Sequence, residues 1–499
     1  MLSRTYTATT LGFDPLKIEV EVDAVRGAPN LVLIGLPSKA VDESKERITA
    51  ALLNNGFYLQ SKRTVVNLAP ADIRKDGSAF ELAIAVGLLK LYGYITKNTD
   101  DTMFFGELSL DGSLKAVRGA LPLVLAARDM GLKQAIIPAE NAREVALVEG
   151  VEIIPAGSVA EVVAFFNNTT NISPLTPTQL NRENITHEVL ISDVKGQELA
   201  KRALVIAAAG GHNVFLNGAP GSGKSMLARA FRSLLPPLEK TEVLAVTAIH
   251  SITGANRGSL VTHRPFRSPH HTTSDVGLIG GGSKLKPGEI SLAHRGVLFL
   301  DEFPEFSRSA LESLRQPLED GNVTISRSVG STTYPAKFTL VAAANPCPCG
   351  WYGSGAKPCT CSDHSRAQYQ RKLSGPILDR IDLHIAVRPV EIKTLRATKT
   401  NKKEQKKFEE SISIALERQK KRLSNTPYTR NAEIISKDIH TLGSFEESAL
   451  TMLAAAAETL SLSARSYFKM MKVALTIADL EQADSVTEAH IAESLQFRN

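Results

Sequence analysis

The sequence predicts an α/β protein whose central domain is built on a parallel sheet. Three apolar segments of strand length lead into polar residues. One enters a glycine-rich loop at residue 218, one ends at Asp301 and Glu302, and one ends at Asn345. The carboxyl ends of parallel strands meet at one edge of a sheet, where α/β proteins bind their ligands. The pattern therefore predicts one ligand site at that edge.

The glycine-rich loop separates a predicted strand at 212–217 from a predicted helix at 226–231. Its residues are Gly218, Ala219, Pro220, Gly221, Ser222, Gly223, Lys224 and Ser225. This is the phosphate-binding pattern G-x-x-x-x-G-K-[ST], in which backbone N–H groups and a helix N-terminus surround an anion. We expect Lys224 to neutralise the β- and γ-phosphates of ATP and Ser225 to ligate Mg²⁺. A chance glycine-rich turn is the alternative, but the flanking strand and helix argue against it.

The other two strand ends supply the remaining groups of a nucleotide site. Asp301 is expected to hold Mg²⁺ directly or through water, and Glu302 to orient and deprotonate the attacking water. Asn345 is expected to hydrogen-bond the γ-phosphate or that water. An ordinary turn asparagine before Pro346 is the alternative for this position.

Composition limits the class of protein. The 499 residues suffice for about three domains, with 43% hydrophobic and 22% charged residues. No apolar run is long enough to span a membrane, and the N-terminus lacks the apolar core of a secretion signal. We therefore expect a cytoplasmic protein without a membrane partner. The net charge of +6 permits a polyanionic partner but does not demand one.

Residues 1–166 are expected to form one α/β unit, followed by a linker rich in Asn, Thr and Pro at 167–188. The first unit resembles the proteolytic domain of Lon, an α+β domain with the fold of ribosomal protein S5 domain 2. The resemblance rests on residues 75–79, 106–112, 126–128 and 137–141.

The resemblance to Lon does not extend to its catalytic residues, so we expect a domain without protease activity. The serine and lysine positions of the peptidase fall at Ala79 and Leu121 in this chain, and a serine without its base is not activated. The alternative is a surviving pair of Ser78 with Lys75 or Lys115.

Further stretches resemble the magnesium chelatase-like AAA+ proteins of bacteria, in particular the YifB/ComM family. They are residues 288–294, 345–350, 374–382, 462–467 and 490–496. Together with the Lon-like region, the resemblance covers nearly the whole chain. It implies an AAA+ P-loop ATPase domain at 189–392 and a C-terminal helical lid at 393–499.

The resemblance also implies roles for residues outside the loop. Val194 and Gly196 match the element that contacts adenine, although Asp193 there also suits a plain helix cap. Arg380 matches the arginine finger, which completes the site of a neighbouring subunit and so implies a ring, most simply a homo-hexamer. An ion pair of Arg380 with Asp379 or Asp382 of its own chain is the alternative. Arg465 matches sensor 2, an arginine that reaches the phosphates from the lid.

Two basic segments are candidates for contact with DNA. The first, at 265–282, is glycine-rich and is expected to form a mobile loop in a central pore; it carries Arg267, His270 and His271. The second is a predicted hairpin around 328–330 that carries Arg327 and Lys337. In DNA-translocating relatives both loops touch the nucleic acid, and basic side chains here suit phosphate contacts. The two histidines are equally compatible with an ordinary surface loop. A basic run at 399–422 suits either a solvated helix face or a second DNA surface.

All four cysteines of the chain lie close together, at Cys347, Cys349, Cys359 and Cys361. Disulfides are rare in cytosolic proteins, so clustered thiols indicate a metal, and four thiolates suit tetrahedral Zn²⁺. His364 is an alternative ligand. We expect a structural zinc site that keeps Asn345 and Arg380 aligned.

These features predict an ATP-hydrolysing ring motor that acts on DNA. The family resemblance implies a branch-migration helicase active in recombination and natural transformation. One alternative is a metal-insertion ATPase like the ATPase subunit of magnesium chelatase. Against it, nothing in the chain resembles a porphyrin-binding partner subunit, and the Lon-like region is expected to be foreign to the chelatase ATPase subunit. Another is an ATP-dependent protease or protein-remodelling factor.

Overall fold

The computed structural model describes residues 2–498 apart from 61, 73–74, 76, 181–187, 257, 283–284, 328–329, 356, 374–376 and 391–401. Several sequence expectations lie outside the described residues. These are the hairpin turn at 328–329, the start of the lid near 393, and parts of the linker and of the family-like stretches at 75–79 and 374–382.

The N-terminal region is built on a seven-stranded mixed sheet. Its strands are β1 (Leu2–Leu11), β2 (Asp14–Val25), β3 (Asn30–Ile34), β4 (Arg63–Ala69), β5 (Thr102–Phe104), β8 (Gln134–Pro138) and β9 (Glu152–Ala156). A small antiparallel pair, β6 (Glu107–Leu108) and β7 (Leu114–Lys115), lies outside it. The spatial order is β3-β4-β2-β1-β5-β8-β9.

In the described part of this region, five α-helices accompany the sheet. They are α1 (Lys39–Asn54), α2 (Glu81–Leu91), α3 (Ala120–Asp129), α4 (Ala142–Val145) and α5 (Val159–Phe166). Helix α2 is buried along most of its length and packs on β1 and β2. Helix α1 begins after Ser38, whose hydroxyl accepts the Val41 N–H as an N-cap.

Strand β1 has no counterpart in the sequence prediction. Its buried face carries Ser3, Thr5 and Thr7, so apolar and polar residues do not alternate along it. Nevertheless it lies inside the sheet, antiparallel to β2 and parallel to β5. The Thr5 hydroxyl donates to the Ala83 carbonyl of α2 at 2.9 Å, which satisfies one of these buried polar groups.

The central region contains a five-stranded sheet in which every pairing is parallel. Its strands are β10 (Val214–Asn217), β11 (Phe266–Arg267), β14 (Val297–Leu300), β17 (Thr339–Ala344) and β18 (Leu383–Ala386). They lie in the order β11-β14-β17-β10-β18. The three strands that the sequence predicted to end in polar residues are therefore adjacent, with β17 between β14 and β10. The mixed α/β architecture with a parallel sheet is confirmed.

Two hairpins lie beside this sheet. They are β12 (Gly280–Gly281) with β13 (Lys286–Pro287), and β15 (Asn322–Arg327) with β16 (Gly330–Pro335). The surrounding helices are α6 (Glu198–Gly210), α7 (Lys224–Phe231), α8 (Lys240–Thr253), α9 (Asp275–Ile279), α10 (Glu289–Leu292), α11 (Arg308–Glu312), α12 (Arg315–Asp320) and α13 (Asp363–Leu373).

The C-terminal region is helical among the residues described. Its helices are α14 (Lys402–Arg422), α15 (Ile439–Leu442), α16 (Glu447–Thr459), α17 (Ala464–Leu480) and α18 (Glu488–Leu495). Helices α14 and α17 pack against α6, so one apolar core joins this region to the sheet. Among the described residues, no helix has both the length and the apolar character needed to cross a bilayer.

The N-terminal region contacts the central region where α3 packs on α8 and at the hairpin β15–β16. The Phe13 N–H donates to the Thr332 hydroxyl at 3.0 Å, and that hydroxyl donates to Asp14 at 2.9 Å. The Phe13 ring lies 5.7 Å from the buried ring of Tyr334. Gly12 has φ +61°, and a Cβ there would clash with the Thr332 side chain, so the contact requires glycine.

Candidate nucleotide-binding site

The predicted phosphate-binding loop runs from the end of β10 into α7, as the sequence predicts. Gly221 and Gly223 have φ values of +75° and +97°, in the left-handed region that favours glycine. A Cβ at Gly218 would collide with the Val387 carbonyl oxygen, so glycine also allows the loop to pack closely. The loop leads directly into the N-terminus of α7, and this is the geometry of an anion site.

Lys224 is held inside this loop. Its ammonium donates to the carbonyls of Gly218 at 2.6 Å and Ala219 at 3.0 Å, and to Asn345 Oδ1 at 3.1 Å. Burial lowers the pKa of Lys224, and the nearby Asp301 carboxylate opposes that shift. The predicted lysine and the predicted strand-end asparagine are thus in direct contact.

Ser225 and Asp301 also meet. The Ser225 hydroxyl donates to Asp301 Oδ2 at 2.8 Å. Two adjacent ligands of an octahedral Mg²⁺ with bonds of 2.0–2.1 Å are separated by about 2.9 Å. The two oxygens therefore already have the spacing that a shared Mg²⁺ requires, and both belong to residue types that bind it.

Glu302 follows Asp301 and has φ +50°, an uncommon conformation outside glycine. Its N–H donates to Asp301 Oδ1 at 2.9 Å, and its Oε2 lies 2.9 Å from His271 Nδ1. The side chain of Glu302 is more than half exposed. Sequence reasoning did not predict this contact between the candidate base and the histidine.

Gln197 is a second residue that sequence reasoning missed. It has φ +59° and begins α6, directly after Gly196 at φ +61°. Its amide donates to the Ser222 carbonyl in the phosphate loop at 3.1 Å and to the Arg388 carbonyl at 2.5 Å. Val194 is buried in the core beside this segment. The predicted adenine element thus borders the phosphate loop, and Gln197 connects the two.

Arg380 and Arg465 both bind the carboxylate of Glu319. Both guanidinium groups donate to Oε1 of Glu319 in α12, Arg465 at 2.7 Å. Burial opposes ionisation of Glu319, but the hydrogen bonds from the two arginines hold its pKa below the usual range. Since the two arginines share one carboxylate, they form one cationic group, and the hydrogen bonds described for them do not reach the phosphate loop of their own chain.

Three family models match the chain in succession. The model described as "Subunit ChlI of Mg-chelatase" matches residues 20–141, "Magnesium chelatase, subunit ChlI" matches 190–395, and "Magnesium chelatase, subunit ChlI C-terminal" matches 402–498. Protein YifB of Escherichia coli is 39% identical over 499 residues, which covers 100% of this chain and 97% of the relative. Competence protein ComM of Haemophilus influenzae is 38% identical over 507 residues, with the same coverage.

The chain belongs to the YifB/ComM family of magnesium chelatase-like proteins. A more distant match is the magnesium-chelatase 67 kDa subunit of Chlorobaculum parvum, 31% identical over 165 residues, or 32% of this chain and 23% of that protein. The ChlI model also covers the N-terminal region, so that region does not separate the YifB/ComM family from the chelatase subunit.

In this YifB/ComM family member the DNA-contact candidates have different surroundings. Arg267 lies in β11 and forms two hydrogen bonds to Glu289, at 2.6 and 2.7 Å. The rings of His270 and His271 are tilted by 35° to each other, with centroids 4.1 Å apart. The segment predicted as a mobile loop thus contains β11, α9 and β12. This ordering follows from the pairing of β11 with β14 and from the Ser274 cap of α9.

The other two candidates lie on and just after the hairpin β15–β16. Arg327 is exposed at the end of β15, close to the strand β12. Lys337 is also exposed, and its ammonium lies 3.6 Å from Glu433.

The four cysteines of this family member form one group just after Asn345. Each offers a sulfur, and the four sulfurs lie within 4.8 Å of one another. Cys347 is fully buried. The pKa of Cys349 is lowered to about 5, first by the backbone N–H of Trp351 and then by that of Thr360. His364, the alternative ligand, does not join the group.

The residues of the alternative Ser–Lys pairs are bonded elsewhere. The Ser78 hydroxyl donates to Glu107, the buried Lys75 ammonium donates to the Pro70 carbonyl, and Lys115 lies 4.0 Å from Glu140. Burial lowers the pKa of Lys75. Leu121 is buried in the apolar core of the N-terminal region.

Proposed function

We propose that this protein is an ATP-hydrolysing ring motor that acts on DNA. The observation that carries the ATPase is the pair of contacts Ser225–Asp301 and Lys224–Asn345, at 2.8 and 3.1 Å. These contacts join the phosphate loop to the ends of the two neighbouring strands. Phosphoryl transfer needs little more from a protein than positioning and charge stabilisation at such a point.

The proposed roles follow from the chemistry of each side chain. The Lys224 ammonium leaves the loop carbonyls and pairs with the β- and γ-phosphates. Ser225 and Asp301 would hold Mg²⁺, which would supply charge neutralisation for the phosphates. Glu302 accepts the proton of the attacking water, and Asn345 orients that water or the γ-phosphate.

Assembly into a ring would give Arg380 and Arg465 a role in hydrolysis. Arg380 and Arg465 share Glu319, and we propose that they act on the nucleotide of the adjacent subunit. An arginine supplied in this way contributes about 10³–10⁵ in kcat in other nucleotide hydrolases. A homo-hexamer is the ring size that the family resemblance implies.

The DNA role rests on resemblance and on exposed basic residues. The relative from Haemophilus influenzae is named a competence protein, and this name supports a role in processing DNA that cells take up. Arg327 and Lys337 are exposed and suit phosphate contacts, whereas Arg267 would first have to leave Glu289. We propose branch migration in recombination and natural transformation, in the cytoplasm.

The domain organisation completes the proposal. A Lon-like N-terminal domain at 1–166 serves as a scaffold without proteolysis, a linker covers 167–188, the AAA+ domain covers 189–392 and a helical lid covers 393–499. The bonding of Ser78 to Glu107 supports the loss of proteolysis, because neither Lys75 nor Lys115 is placed to act as its base.

The test is the rate of ATP hydrolysis with no DNA, single strands, duplex and four-way junctions. We expect stimulation by branched DNA in the wild type. Glu302→Gln should bind ATP and DNA without hydrolysis, and the wild type should move a four-way junction only with ATP. An ATPase that neither binds forked or four-way DNA nor responds to it would contradict the DNA role but leave the ATPase intact.

A metal-insertion ATPase is the second candidate, favoured by the three ChlI family models. ATP-dependent insertion of Mg²⁺ into a porphyrin, with the partner subunits of a chelatase present, would support it over the DNA motor. An ATP-dependent protease is the third candidate. Casein degradation abolished by Ser78→Ala would support it, and no degradation by an active ATPase would exclude it.

A further inference from the structure

The four-cysteine group has the dimensions of a tetrahedral metal site. The sulfur of Cys347 lies 3.4 Å from that of Cys349 and 3.7 Å from that of Cys359, and the last two are 3.6 Å apart. Four sulfurs bound to Zn²⁺ at 2.3 Å in a tetrahedron would be separated by about 3.8 Å. Disulfide sulfurs, in contrast, lie about 2.05 Å apart. The spacing therefore matches ligands around one ion and not cystine bridges.

Backbone groups also point at these sulfurs. The Tyr352 N–H donates to Cys347 at 3.3 Å, and the Cys349 N–H donates to Cys361 at 3.3 Å. Hydrogen bonds of this kind stabilise thiolates, which are the form that binds a metal, and fix their orientation. Two sulfurs from each of two short segments thus converge on one point, and backbone N–H groups donate to two of the four, Cys347 and Cys361.

We propose that Cys347, Cys349, Cys359 and Cys361 form a structural Zn²⁺ site. Four soft thiolates with no position left for water favour Zn²⁺ over Mg²⁺ or Ca²⁺, and they describe a closed site without catalysis at the metal. Zn²⁺ takes no part in hydrolysis here; its chemistry is to crosslink two chain segments.

The site is placed to control the nucleotide pocket. Gly350, in the turn that begins at Cys347, has φ +83°, and a Cβ there would lie 2.5 Å from Cδ of Pro220 in the phosphate loop. The same Cβ would lie 3.7 Å from Asn345 Cγ. The metal-bound turn therefore packs against both the phosphate loop and the candidate sensor. This second part of the inference rests on the proposed ATPase, whereas the metal site itself does not.

The metal site is tested by zinc content. We expect the purified full-length protein to contain about one Zn²⁺ per chain, released when a mercurial reagent titrates the thiols. The double variant Cys349→Ser, Cys361→Ser should lose it, and His364→Ala, a histidine outside the group, should keep it. Co²⁺ exchanged into the wild type should give the absorption bands of a tetrahedral thiolate complex. This measurement needs no variant and so does not depend on the folding of one.

Two results would overturn the metal site. One is wild type without bound zinc whose four thiols react freely or are found as disulfides. The other is a double cysteine variant that retains the full zinc content. Lys224→Ala separates the two proposals, because it should retain zinc while losing hydrolysis. If the protein binds zinc but shows no ATP hydrolysis, only the proposed function is contradicted.

The coupling to the nucleotide pocket has its own readout. We expect the double cysteine variant to bind a fluorescent ATP analogue roughly tenfold more weakly than His364→Ala, since loss of the crosslink releases the turn from Pro220. Equal affinity in a folded, zinc-free variant would show that the site stabilises its own loop only. Circular dichroism and the elution volume of the variant establish that it is folded.

Discussion

Replacement of Gly350 by alanine tests whether the turn after Asn345 positions the phosphate loop. Carbon atoms pack best at about 3.5–4.0 Å, and the new Cβ would start 2.5 and 2.6 Å from Cδ and Cγ of Pro220. The turn or the loop must therefore retreat by about 1 Å, and a misplacement of that size can cost on the order of 100-fold in rate. We expect kcat/KM for ATP to fall roughly ten- to hundredfold.

Gly353→Ala is the matched control for this change. Gly353 lies in the same loop at φ +69°, and a Cβ there meets no atom within 4 Å. Both alanines incur the cost of the left-handed conformation, roughly 1–2 kcal/mol, but only Gly350→Ala adds the clash. Steady-state phosphate release and titration with a fluorescent ATP analogue compare the two variants. Equal kinetics and equal affinity would refute the idea that this turn supports the loop.

Three further predictions concern other contacts of the site and core. Glu319→Gln should lower kcat severalfold without changing the affinity for a fluorescent ATP analogue. The substitution weakens the hydrogen bonds that hold Arg380 and Arg465 but does not contact the phosphate loop. A changed affinity with normal kcat would contradict this. His271→Ala should raise hydrolysis without DNA severalfold, because Glu302 loses the partner 2.9 Å away; unchanged or lower basal hydrolysis would contradict a restraining role. Burial lowers the pKa of His294 to about 3. Between pH 6.5 and 3 the unfolded chain therefore binds a proton at this residue that the folded chain does not, and the free energy of unfolding should decrease as the pH falls through this range. Urea midpoints should therefore fall less between pH 7.5 and 5 in His294→Gln than in wild type, and parallel profiles would exclude this contribution.

Much of the candidate nucleotide site was predictable because its signals are local. The loop pattern and the apolar strands ending at Asp301 and Asn345 occupy short, continuous segments, and the parallel sheet brings their ends together. The contacts of Ser225 with Asp301 and of Lys224 with Asn345 follow from that geometry.

The contacts that the sequence did not reveal join distant residues without any pattern. Glu319 looks like any surface glutamate, and its role emerges only when Arg380 and Arg465 meet it. Similarly, nothing near His271 indicates that its partner is Glu302. Strand β1 was missed for a different reason, since its buried threonines break the apolar alternation on which strand prediction depends.

The bonding of Thr332 has a mechanical consequence. Its hydroxyl accepts from the Phe13 N–H and donates to Asp14, so its single proton is committed to the N-terminal region. A pull on the hairpin β15–β16 is therefore transmitted across the tight turn at Gly12 into the two longest strands of the neighbouring sheet. We therefore expect the N-terminal region to stiffen the hairpin. Deleting that region would change how far the hairpin can travel, even though none of the contacts described for the candidate nucleotide site involves it.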